Sequence, residues 1–144
     1  MTAESIVAEF RSGAMSRERF NHRAHLCVGL YHLSHPWLDD EATAAQRVRD
    51  AILWFNDRVG AVQTETSGYH ETITLFYVRI IRHFLSTRQP TESFNDLGEA
   101  LLAEWGDPKL PLRYWSKERL MSWEARLAWI EPDLAALPDD KKTR

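Results

Sequence analysis

The chain has 144 residues, 44% hydrophobic and 27% charged, with a formal charge of −3. That length and balance fit one globular domain with its own core, not a disordered or fibrous chain. The acidic balance offers no basic face for a nucleic-acid backbone, no apolar run is long enough to span a bilayer, and Cys27 is the single cysteine, which excludes an internal disulfide.

The first eleven residues lack a long apolar run and include Glu4 and Glu9, so no signal peptide is expected and a cytoplasmic location is the default. A short first helix is predicted over residues 3–11, stopped by Gly13. A second should start near Ser16 and end before Pro36, with His35 in the turn. The third is predicted over residues 40–59, with Gly60 as its stop. The fourth should begin at Ser67 or Gly68 and run to about Ser86. The fifth follows Pro90, with Thr91 as N-cap, and reaches about Glu104. One or two short helices capped by Ser116 and Ser122 come next, and Pro132 ends the last. Strand-like alternation and internal repeats are absent. The expectation is an all-α fold: a single bundle of about five to seven helices over residues 1–138, followed by a polar tail, 139–144.

Helix phase adds more than helix existence. Stepping about 100° per residue, the third helix gathers Ala45, Val48, Ile52, Phe55 and Val59 on one side, an ordinary amphipathic pattern. The second is apolar nearly all round its axis, which predicts a central helix. It also carries Glu18, His22, His25, Gly29 and His32 along one stripe, at spacings that stack them one above another. On the fourth helix the core-facing stripe reads His70, Ile73, Thr74, Tyr77, Ile80, Ile81 and Phe84, with Glu71 at its edge. Two helices therefore each turn histidine inward.

Histidines from facing helices, joined by a carboxylate, are a common way for a bundle to hold a metal. His22, His25 and His70 are the candidate ligands for a divalent transition metal: zinc, iron, manganese or nickel. Glu71 or Glu18 would act as general base, and Gly29 would leave room for a ligand. Thr66, Tyr69, Thr74 and Tyr114 are the candidate substrate-binding groups. The competing reading is that inward histidines are hydrogen-bonded core residues, which is the commoner fate of a histidine on an apolar face. For His32, His35 and His83 no ligand role is expected: His35 precedes Pro36 in a turn, and His83 falls toward the exposed side of its helix. The zinc-protease pattern H-E-x-x-H is excluded, because Thr74 stands where the second histidine would be. The loop 63–68, rich in hydroxyls, has the composition of an anion site at a helix start, but helix capping explains the same residues.

The stretches Asn21-His22-Arg23-Ala24-His25-Leu26 and Gly68-Tyr69-His70-Glu71-Thr72-Ile73-Thr74 resemble a family of small all-helical bacterial proteins that carries no assigned activity. The resemblance extends through Asn56, Gly60, Tyr114-Trp115-Ser116, Glu124-Ala125-Arg126 and Glu131-Pro132-Asp133-Leu134. It implies that His22, His25, His70 and Glu71 form one recurrent pattern. A more distant analogy is to DinB-like metal-binding bundles, at the level of architecture only. The function expected from sequence is thus a metal-dependent enzyme, hydrolase or oxidoreductase, acting on a cytosolic small molecule. The alternative is a non-catalytic small-molecule-binding protein that uses the same pocket without metal. A homodimer is compatible with either; nucleic acid and membrane are not expected partners.

Overall fold

Side-chain caps set most of the helix boundaries in the computed structural model, which describes residues 1–34, 40–89 and 91–138. The expected turn at His35 and Pro36, the role of Pro90 and the tail 139–144 lie outside the described residues. Helix α1 (Ala3–Ser12) opens at Thr2, whose side chain accepts from the Ser5 N–H, and closes on Gly13 at φ 84°. Helix α3 (Glu41–Val59) is capped by Asp40 and closes on Gly60 at φ 72°. Both glycines occupy the left-handed region that side chains resist. Helix α5 (Phe94–Trp105) is capped by Ser93, two residues later than Thr91. Ser116 and Ser122 cap α6 (Lys117–Leu120) and α7 (Trp123–Leu127), after a 3₁₀ turn at Leu110–Arg113. Among the described residues the chain is all-helical, with seven α-helices and no strand.

Two other helices also start later than the sequence suggested, and both of these differences matter for the site. Helix α2 is His22–Leu33, not a helix from Ser16. Asn21 is extended and its side-chain oxygen accepts from the Ala24 N–H at 3.0 Å, so the chain from Ser16 to Phe20 is a separate hydrogen-bonded turn. Asparagine is among the best N-caps, and here it outcompetes the serine five residues upstream. Glu18 is therefore not on the stripe of His22 and His25. Helix α4 is Glu71–Ser86, and its N-cap is His70 itself. Gly68 at φ 97° makes the bend before it.

Helix α2 is central, as its all-round apolarity predicted, and packs against α1, α3, α4 and α5. Its Ala24, Cys27 and Val28 join Ile6, Val7 and Phe10 of α1, while Leu26, Leu30 and Leu33 join Val48 of α3 and Val78, Ile81 and Phe84 of α4. Helix α4 is just as central. Its other side, Phe76 and Ile80, is covered by Leu110, Trp115, Leu120 and Leu137 from the C-terminal third. Gly29 lets α2 and α4 converge: a Cβ there would stand 3.0 Å from Ile81 Cδ1.

Because both sides of α4 are covered, the polar groups at its start need partners within the protein. The Thr72 hydroxyl is buried between the carbonyls of Ala125, at 2.7 Å, and Ala128, at 2.9 Å, and accepts from the Ile130 N–H at 3.3 Å. Arg126 is buried and donates to the carbonyls of Gly68 and Tyr69 at 3.1 and 3.4 Å. The C-terminal segment is thereby sewn to the start of α4. Thr72→Val keeps the shape but strands these groups, so it should cost about 2 kcal/mol of stability. Urea unfolding checks this: the midpoint should drop with no change in slope, and an unchanged midpoint would show that the hydroxyl ties nothing down.

Candidate functional site

Residues of α2, α3 and α4 enclose a cleft of two adjoining chambers. The first, about 360 Å³, is walled by aliphatic side chains such as Leu26, Val48, Val78 and Ile81, and Pro108 and Pro111 border it from the loop after α5. The second, about 260 Å³, runs under the loop that precedes α4 and reaches Arg17, Asn56 and Tyr69. Phe20, His25, Ile52, Ile73 and Thr74 line both.

His25 stands where the chambers meet. Its ring stacks on Phe20, with centroids 3.7 Å apart and planes 18° from parallel. Nδ1 lies 3.0 Å from the Asn21 carbonyl, which can only accept, so Nδ1 carries the proton and the lone pair of the neutral ring is on Nε2. The ring is exposed to the cleft yet set deep among protein atoms. That burial, helped by nearby His22, holds its pKa below the ordinary histidine value, despite the opposing Asn21 carbonyl.

His22 opens α2 and meets Tyr77 of α4 edge to face, with centroids 5.6 Å apart. Both line the first chamber, and two of their polar atoms, His22 Nε2 and the Tyr77 hydroxyl, are buried with no hydrogen-bond partner. Burial lowers the His22 pKa, against the Gly106 carbonyl and the Asp107 carboxylate nearby, and burial raises that of the Tyr77 phenol. Both groups are neutral near pH 7.

The remaining expected site residues are placed differently. His70 lines the second chamber, but both its ring nitrogens are engaged: Nδ1 accepts from the Ile73 N–H at 3.1 Å and Nε2 donates to the Leu120 carbonyl at 2.8 Å. Glu71 lines neither chamber. Its carboxylate takes both arms of Arg49 and the Tyr69 hydroxyl, at 2.7 Å, and these partners overcome burial to hold its pKa below the ordinary value. Glu18 is exposed on the turn before α2, and Thr66 is exposed in a loop whose hydroxyls serve its own backbone: Thr64 Oγ1 accepts from the N–H groups of Thr66 and Ser67. Tyr114 packs on Phe76 in the C-terminal cluster and lines neither chamber. Thr74 and Tyr69 do line the cleft, with Thr74 Oγ1 donating to the His70 carbonyl.

This geometry does not fit a three-histidine metal centre. His70 has no free nitrogen, Glu71 is committed to Arg49, and Glu18 is elsewhere. Among the described residues no group of three or more histidine, cysteine, aspartate or glutamate side chains is arranged to hold a metal ion. His22 and His25 do face one cleft, as their spacing implied.

The residue that sequence reasoning undervalued is Tyr77. It stood in the core stripe of α4, and a core tyrosine must place its hydroxyl somewhere, which was the available signal. Arg17 carried none and Asn56 only its place in the resemblance, since their positions depend on the Ser16–Phe20 turn and on the packing of α3.

The lowered values of His22, His25 and His70 fix a pH dependence. The unfolded chain takes up protons near pH 6.5, before the folded protein does. Their contribution is therefore complete above about pH 6.5 and is lost as the pH falls through the folded-state values. Urea midpoints should decline from pH 7.5 to pH 5.5, and less so in His70→Asn, which keeps a capping oxygen without a titrating ring. A flat or rising midpoint over that interval would contradict the assignment. Comparison of the chain with family models, with curated proteins and with solved structures gave no match in any of the three.

Proposed function

We propose that this protein binds a small, largely apolar organic molecule in the α2–α3–α4 cleft, without a metal, and that His22 and Tyr77 recognise a hydroxyl or carbonyl group on it. The reading is carried by one observation: two buried polar atoms without partners, His22 Nε2 and the Tyr77 hydroxyl, belong to residues lining the same apolar chamber. Each such atom costs about 1–3 kcal/mol when left unsatisfied, so a pair of them in one wall is a feature that folding alone does not favour. A ligand oxygen that meets them recovers that cost. The first chamber also has the size and the mostly apolar lining of a small-molecule site. A hydrolase or oxidoreductase working through a bound metal would need a third ligand that His22 and His25 do not find among the described residues. Where the bound molecule carries an acidic proton, His25 Nε2 is the group suited to accept it.

Para-alkylphenols test the binding, since they combine a hydroxyl with an apolar body. We expect 4-propylphenol to bind saturably by calorimetry. Tyr77→Phe should weaken it about fivefold while raising, or leaving unchanged, the stability of the free protein, because the variant loses an unsatisfied hydroxyl. A loss of stability with unchanged affinity would assign Tyr77 to the fold alone. Zinc ion should leave the melting temperature where it is at pH 7.5. A saturable rise that is abolished by His22→Ala and His25→Ala would restore the metal reading.

A further inference from the structure

The cleft carries a charge that its first chamber does not reveal. Among the described residues no formally charged side chain lines the first chamber, and the only one that lines the second is Arg17. Arg17 lies on the exposed turn before α2, and its guanidinium has neither an ion-pair nor a hydrogen-bond partner. Asn56, half-buried on α3 and lining the same chamber, likewise has a side-chain amide without a hydrogen bond. Every other polar side chain there is occupied or neutral. The Tyr69 hydroxyl is spent on Glu71, His70 on Ile73 and Leu120, and Thr74 on the His70 carbonyl. The nearby carboxylate, Glu71, is neutralised by Arg49 and does not line the chamber. A single cation and a single unpaired amide are thus presented at one end of a cleft whose other end holds His22 and Tyr77.

We propose that the second chamber is a carboxylate subsite, and that the ligand of the cleft is a monocarboxylic acid with an apolar body. Its acid group meets Arg17 and Asn56, and its body passes His25 and Thr74 into the first chamber. This rests on the cleft being a ligand site at all. One guanidinium matches one negative charge. A phosphate dianion would call for more donors than Arg17 and Asn56 supply, beside the apolar Phe20, Phe55, Val59 and Ala61 that make up much of the wall.

The test compares 4-alkylphenols with ω-(4-hydroxyphenyl)alkanoates of the same chain length, from two to six methylenes, because the length that spans both chambers selects itself in the series. At low salt at least one acid should bind about tenfold more tightly than its alkylphenol counterpart, the scale of one charge-assisted contact. That advantage should shrink in 0.5 M salt and disappear in Arg17→Met. Arg17 has no partner in the free protein, so the variant should melt at the parental temperature, and its melting curve is the check that it folds. Acids and alkylphenols binding equally at every length, or an acid advantage that survives Arg17→Met, would overturn the subsite while leaving the cleft reading intact. Failure of both series to bind would overturn the cleft reading and the subsite together.

Discussion

Helix α4 is covered on both sides, and the rest of the structure follows from that burial. Its first turn holds four exposed-by-geometry N–H groups that a surface helix would give to water. Here the turn lies under the C-terminal segment: His70 Nδ1 accepts from the Ile73 N–H, and the side chains of the turn find partners on neighbouring segments. His70 caps the helix and is itself held by Leu120; Thr72 reaches Ala125, Ala128 and Ile130; Glu71 is gripped by Arg49 of α3. Consecutive residues thus tie α4 to the C-terminal segment, then to α3, then to the C-terminal segment again. Breaking any one tie leaves a buried polar group behind, which costs more than the bond itself contributes.

This clamp is also what leaves a cleft. The start of α4 is anchored to α3 through Glu71 and Arg49, and its middle is drawn onto α2 where Gly29 admits Ile81. Between those two fixed points Ile73, Thr74, Tyr77 and Val78 line the first chamber, and the first turn of α2 adds His22 and His25. The loop after α5 borders the first chamber with Pro108 and Pro111, and Asp107 stands near enough to His22 and Tyr77 to act on both. A packed core fills such a space with side chains at crystal-like density. An apolar chamber kept open between three clamped helices is a different design, and it accounts for the neutral imidazoles, since burial disfavours their charged form more than Asp107 favours that of His22.

Much of this was legible before any coordinates. The all-helical class, the central α2, the caps at Ser116 and Ser122 and the stops at Gly13 and Gly60 follow from periodicity and from the conformational freedom of glycine. The inward pairing of His22 with His25 also follows, because residues three apart share a helix face. What could not be read is which inward polar residues are already spent. His70 and His22 look alike in sequence: each stands at the start of an inward stripe. One is used up on Ile73 and Leu120, a partner 50 residues away, and the other is not. Glu18 failed for a more local reason. Its place on the histidine stripe assumed that α2 began at Ser16, and the extended backbone at Asn21 severs that continuity.

The distinction between spent and unspent groups is what separates the scaffold from the site. In most folded proteins nearly every buried polar atom is paired, so the paired ones carry little information about function. The Gly68–Thr74 segment, the most motif-like stretch of the chain, is mainly of this kind: capping, an ion pair, ties to distant carbonyls. The informative atoms are His22 Nε2 and the Tyr77 hydroxyl, which no protein group meets. His25 is intermediate, since Asn21 uses one nitrogen and thereby fixes the other as an acceptor at the junction of the two chambers. A histidine held in that way is oriented by the scaffold and yet free toward the cleft. Its partner on the cleft side must then be a donor, which a bound hydroxyl or a protonated acid supplies and a carboxylate does not. An acid group in the cleft therefore belongs with the guanidinium of Arg17, and the hydroxyl end of the ligand with the imidazoles and the phenol of Tyr77.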